Sequence, residues 1–261
     1  MDRVEGRTWT GFGRAELIAF GVGAALLLSG ISHFIILVAS GTSWFGPVSW
    51  RKPATFGLSF GLTLVTVTWI SSFLDLQRRA RAVLIAALTM ASAWETALVT
   101  LQAWRHVPSH FNFETAFDAV VARALAGGGF LLVVTIVSLT IAAFRRRPRA
   151  PASVVLAIRV GFLSLLGAQV VGAVMIAVGM RHVFSGDIQS AYATSNVLKW
   201  THGLLMHGIL IVPALAWAAS LSGSKGSKGS KGSKGSKGAK GAKGSLVEPS
   251  GTLGTPGTFG T

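Results

Sequence analysis

The chain has no cysteine. Disulfides, zinc–thiolate centres, iron–sulfur clusters and haem attached through a cysteine motif are therefore excluded. Charge is also scarce: 13% of residues are Asp, Glu, Lys or Arg, against 51% hydrophobic, with a mean hydropathy of +0.58. A water-soluble globule of this size does not carry that balance. Gly127, Gly128 and Gly129 follow no strand, so they are not a phosphate loop, and they suit close helix approach or a kink instead. The glycine-periodic stretch after Leu221 has no proline within its repeat, which argues against collagen.

What the chain does have is apolar length. Six runs stand out: Ala15–Ala39, Ala54–Leu74, Ala82–Trp104, Phe117–Phe144, Ala152–Met180 and Val197–Leu221. Each reaches the roughly 20 residues that a helix needs to cross a bilayer. The expected fold is all-α: a polytopic membrane protein with six transmembrane helices in one bundle joined by short connections. Residues 1–14 form an N-terminal segment, 15–221 the transmembrane domain, and 222–261 a flexible Gly/Ser/Lys-rich tail. The first run is too long for the apolar core of a signal peptide, so it is expected to belong to the mature protein.

Basic residues set the expected orientation. Arg3, Arg7 and Arg14 precede the first run, Arg78, Arg79 and Arg81 join the second and third, and Arg145, Arg146, Arg147 and Arg149 join the fourth and fifth. Positive residues favour the cytoplasmic side, which places both termini there and makes this a multi-pass protein of a cytoplasmic membrane. Trp44, Trp50, Trp104 and Trp200 then fall at the outer boundary, as an interfacial aromatic belt would. The lipid bilayer is the expected partner, and the basic tail could touch anionic head groups. No recognition module accompanies the tail's charge, so nucleic acid is not an expected partner. Protein partners are left open.

The polar chemistry gathers between Glu95 and Asp118. Glu95 and Gln102 are seven residues apart and share one stripe of the third helix, with Ser92 one turn further along it. A carboxylate inside a spanning helix is costly and faces the bundle interior, which makes Glu95 a candidate proton carrier; the structural alternatives are an interhelical hydrogen bond or a buried pair with Arg123. Asp118 is a second candidate carrier, or equally a charge at the start of the fourth helix, where the helix dipole favours it. Between them, Ser109, His110 and Asn112 offer donors and acceptors in close succession behind Pro108. With Gln102 and Arg123 they form the candidate binding set.

All six histidines fall on the expected outer side. His33, His202 and His207 are the candidate ligands of haem or a divalent metal, with the cofactor itself unassigned. His202 and His207 are five apart, unlike the i, i+4 pair of a zinc helix.

Lys52, Pro53 and Phe56, with Ser59, Thr66 and Trp69, then Glu95, Gln102 with Arg105, SHFN at Ser109–Asn112 with Thr115, Phe117 and Asp118, and finally His202 with His207, resemble a family of uncharacterised bacterial integral membrane proteins. The resemblance covers most of Lys52–His207 and departs at Leu210, where that family's pattern has glutamine. It implies the fold, the topology and a bacterial inner membrane, and no activity. Three functions are carried forward. The leading one is a haem- or metal-binding redox or electron-transfer role at an outward-facing His/carboxylate site. The others are a proton-coupled small-molecule transporter using Glu95, and a non-catalytic membrane component that binds a partner. Whether the chain is an enzyme stays open. A metal-dependent hydrolase using Ser109, His110 and Asp118 is disfavoured by the histidine spacing.

Overall fold

A computed structural model describes residues 11–145 and 148–229, with the backbone alone at 194–197 and 221–229. Arg3, Arg7, Arg146, Arg147 and the tail from residue 230 lie outside the described residues. Six helices follow in order: α1 (Arg14–Ser40), α2 (Arg51–Ser71), α3 (Arg78–Trp104), α4 (Ala116–Arg145), α5 (Ala152–Phe184) and α6 (Ile188–Gly229). No strand occurs among the described residues. All six helices are long and apolar enough to cross a bilayer, so the chain has the build of a multi-pass membrane protein.

Local chemistry accounts for the helix ends. At the start of α1 the Gly13 N–H donates to the Glu16 carboxylate at 2.5 Å, and the helix closes on Gly41 in the left-handed conformation, with φ +59°. Pro53 sits in the first turn of α2, where a missing N–H costs nothing. Thr115 and Asp118 cap α4 reciprocally: the Asp118 N–H donates to Thr115 Oγ1 at 3.1 Å, and the Thr115 hydroxyl donates to Asp118 Oδ2 at 2.6 Å. Asp187 caps α6 by accepting from the Ser190 N–H at 3.1 Å. The Ser190 hydroxyl, and after it that backbone bond, hold the Asp187 carboxyl below its usual range.

The last two helices differ from the apolar runs. The fifth run, expected to end at Met180, continues as α5 to Phe184, and the sixth, expected to begin at Val197, is preceded by helix from Ile188, so residues 181–196 between the two runs are almost all helix. Only residues 185–187 connect the two helices, with Gly186 at φ +80° making the turn.

Alternation of the helices gives the bundle two ends. The α1–α2, α3–α4 and α5–α6 connections form one, here the histidine end; the α2–α3 and α4–α5 connections form the other, the arginine end. α1 and α2 meet backbone to backbone. A Cβ added at Gly57 would lie 2.6 Å from Gly30 N, and one added at Gly61 would lie 2.8 Å from Gly23 O. In lipid, where apolar surface gains nothing by leaving the solvent, such close packing is what holds helices together. α5 and α6 are tied by the Ser164 hydroxyl donating to Leu205 O at 2.8 Å, and α6 touches α2 through Trp217 and Trp69, 5.7 Å apart edge to face. At the arginine end, Arg149 pairs with Asp75 at 2.9 Å while its N–H donates to Phe73 O, joining the two connections there.

Candidate functional site

α3 carries the polar interior of the bundle. Arg81, Leu88, Glu95 and Gln102 recur every seven residues, with Ile85, Ser92 and Val99 between them, and all are buried. This is one stripe of the helix, polar at both ends and in the middle. At the arginine end Arg81 donates to Leu74 O at 2.9 Å and faces Glu16 at 3.8 Å. At the histidine end Gln102 Nε2 donates to Asp118 Oδ1 at 2.9 Å.

Glu95 lies between these anchored ends with 5% of its surface exposed. Its Oε1 has no hydrogen-bond partner among the described residues, and neither does the Ser92 hydroxyl one turn away. The carboxylate rests against α4 at Gly128, where an added Cβ would collide with Oε1. Glycine at that position makes the seat, and Gly127 and Gly129 face open space. Arg123 does not supply a counter-charge: it is exposed on α4 and has no hydrogen-bond or ion-pair partner among the described residues. The buried Glu95–Arg123 pair, one of the two structural alternatives, is therefore absent among the described residues, because the guanidinium reaches outward instead. For the other, the interhelical hydrogen bond, the backbone of Gly129 on α4 is the partner on offer.

Asp118 is held differently. Its carboxylate accepts from Gln102, from the Thr115 hydroxyl and from Arg105 Nη1 at 2.5 Å, and Arg105 also donates to Gln102 Oε1. The Arg105 guanidinium lies 4.6 Å over the Phe117 ring. Gln102, Arg105, Thr115, Phe117 and Asp118 thus form one clamp across the α3–α4 connection.

The loop within this clamp is tightly folded. His106 and Phe111 hold φ at +57° and +62°, a conformation that costs non-glycine residues about 1–2 kcal/mol. The twist drives the Phe111 ring against α5 at Gly179, where a Cβ would overlap it. Ser109 and Asn112 are buried; Asn112 Oδ1 accepts from the Glu114 N–H at 3.1 Å, while its Nδ2 has no partner among the described residues. His110 shares a 3.0 Å hydrogen bond with Ser109 and packs against Phe56 and Phe111. Burial, and secondarily the Lys52 ammonium, push the His110 imidazole down to about 3. From sequence Lys52 entered only through the family resemblance, and its influence on His110 arises from tertiary packing.

The three candidate ligand histidines do not converge into one centre. His33 Nδ1 donates to Ser29 O at 2.7 Å and its Nε2 accepts from Trp104 Nε1 at 3.1 Å, so both ring nitrogens are engaged within the aromatic belt of Trp50 and Trp104. His202 Nδ1 donates to Ala168 O at 2.8 Å and His207 Nδ1 to Gly203 O at 2.6 Å. A carbonyl can only accept, so in both rings Nδ1 carries the proton and Nε2 keeps its lone pair. No group of three or more His, Cys, Asp or Glu suited to a metal ion occurs among the described residues.

Sequence reasoning missed Glu16, Arg81 as its partner, and the role of Gly128. Only the last had a signal, the glycine triplet itself. Comparison of the chain with protein-family models, with curated proteins and with solved structures yields no match.

Proposed function

We propose that the chain is a proton-translocating membrane carrier in which Glu95 takes up and releases the transported proton. The observation that carries this reading is the buried carboxylate in mid-span, with Oε1 unpartnered among the described residues and seated on the bare backbone of Gly128. A carboxylate kept inside a spanning bundle without a counter-charge is expensive, and such groups mark proton and ion pathways. Asp118 supports a different role: its three side-chain donors anchor it, which suits a hinge that keeps α3 and α4 in register while Glu95 works beneath it. Basic residues at the arginine end support cytoplasmic termini, and the resemblance to bacterial membrane proteins supports a bacterial inner membrane.

The test is proton uptake into proteoliposomes containing a pH-reporting dye and driven by a potassium diffusion potential. The wild-type chain is expected to exceed empty vesicles and Glu95→Gln to fall to their level, with unchanged helical content and melting temperature. Wild-type flux at background, or full flux in Glu95→Gln, overturns the reading.

One observation favours a second reading, a haem- or metal-binding redox protein. His202 and His207 each give their Nδ1 proton to a backbone carbonyl, as ligating imidazoles do, leaving Nε2 available. The absorption spectrum and metal content of the purified protein test it. A Soret band or stoichiometric metal, lost in His202→Ala or His207→Ala, would support this reading; a colourless, metal-free, folded protein would sink it.

A further inference from the structure

The arginine end holds a cleft that the carrier reading does not use. It lies between the last turn of α4 and the first two turns of α5, has a volume of about 410 Å3, and is lined by Phe144, Arg145, Val155, Leu156 and Arg159 among others. Arg159 sits two turns inside α5, where a guanidinium must pair or reach outward. It is held in place: Nε donates to Ala143 O at 3.2 Å, and the Phe144 ring lies 5.4 Å below its central carbon. Both Nη groups have no partner among the described residues. Arg145, in the last turn of α4, is exposed and likewise has no partner among the described residues. No carboxylate lines the cleft among the described residues. Of the acids at this end of the bundle, Asp75 is engaged with Arg149 and Glu16 faces Arg81.

We propose that this cleft binds the phosphate of an anionic phospholipid. Two guanidiniums face an opening without a counter-charge, and planar Arg donors suit phosphate oxygens. The apolar part of the lining favours a lipid over a free anion. Phe144 and Leu156 are exposed on the bundle surface beside the arginines, where acyl chains can lie against them while the head group reaches Arg145 and Arg159.

Native mass spectrometry of the full chain in detergent, titrated with phosphatidylglycerol or phosphatidylcholine, tests the site. Phosphatidylglycerol is expected to bind tightly and phosphatidylcholine weakly. In Arg145→Ala/Arg159→Ala, phosphatidylglycerol binding is expected to weaken about 30-fold, the factor for removing two basic residues from an anionic surface. Arg78→Ala/Arg79→Ala, which removes equal charge at the same end, is expected to change it little. Should the double variant fail to fold, Arg145→Glu alone, at an exposed residue without a partner among the described residues, is expected to weaken binding at least as much as Arg145→Ala. Equal losses in the two double variants, equal binding of the two lipids, undiminished binding in Arg145→Glu, or displacement of the lipid by inorganic phosphate at matching concentration would each overturn the proposal.

Discussion

At the scale of single residues, His110 has a consequence for pH. Its folded pKa is pushed down to about 3 from a usual 6.5, by burial first and the Lys52 charge second. As pH falls below the usual value, an unfolded chain takes up a proton that the folded chain refuses, so acid destabilises the fold. The slope is about 1.4 kcal/mol per pH unit for one proton, and the loss is complete below the folded pKa. Melting temperatures in detergent from about pH 7 to about pH 4 should therefore fall less steeply for His110→Gln than for the wild-type chain. Parallel curves would refute the assignment. Part of this was legible in the sequence: SHFN read as a compact polar loop behind a proline. The strained φ of Phe111 and the depressed His110 were not, because one depends on a ring finding Gly179 and the other on α2 bringing Lys52 alongside.

At the scale of elements, the α1–α2 contact offers the sharpest test. Cβ atoms at Gly30 and Gly57 would meet backbone, which cannot swing aside as a side chain can: Leu58 N at 2.5 Å for the first, Gly30 N at 2.6 Å for the second. Gly30→Ala and Gly57→Ala should each cost about 1–3 kcal/mol by overpacking. The double variant should cost less than the sum, since helices already forced apart accommodate the second methyl. Gly127→Ala, facing open space, should be neutral or slightly stabilising. Reversible unfolding of the four variants in mixed micelles decides it, and additive losses would mean that the two glycines do not share one contact. Hydropathy located the helices but not this pairing, because a glycine's partner on another helix leaves no trace in its own neighbourhood. Within a helix the sequence was more informative. The seven-residue spacing of Glu95 and Gln102 placed them on one buried stripe, and Asp118 was expected as a charge at the start of the fourth helix, where its N–H donates to Thr115 and its carboxylate accepts from the Thr115 hydroxyl. The placement of Arg123 was not legible: a charge in an apolar run points inward or outward according to how α4 is rotated, which packing decides.

At the scale of the whole molecule, the bundle separates its chemistry by end. His110 and the Asp118 clamp occupy one end, while Arg81, Arg149 and the Arg145–Arg159 cleft occupy the other, and the buried stripe of α3 joins them through Glu95. Under the proposed carrier function, a proton moving along that stripe would have a direction only once the bundle has an orientation, and the proposed one puts the arginine end in the cytoplasm. The absence of cysteine makes this directly measurable, because any single cysteine introduced is the only thiol in the chain. Glu114 at the histidine end and Gln77 at the arginine end are both exposed. In intact cells a membrane-impermeant maleimide should label Glu114→Cys, and should label Gln77→Cys only after the membrane is permeabilised. The reverse pattern would invert the topology, and Glu95 would then take its proton from the cytoplasm through the clamp end instead of from outside. Labelling of both positions in intact cells would mean mixed insertion and remove any fixed direction from the carrier.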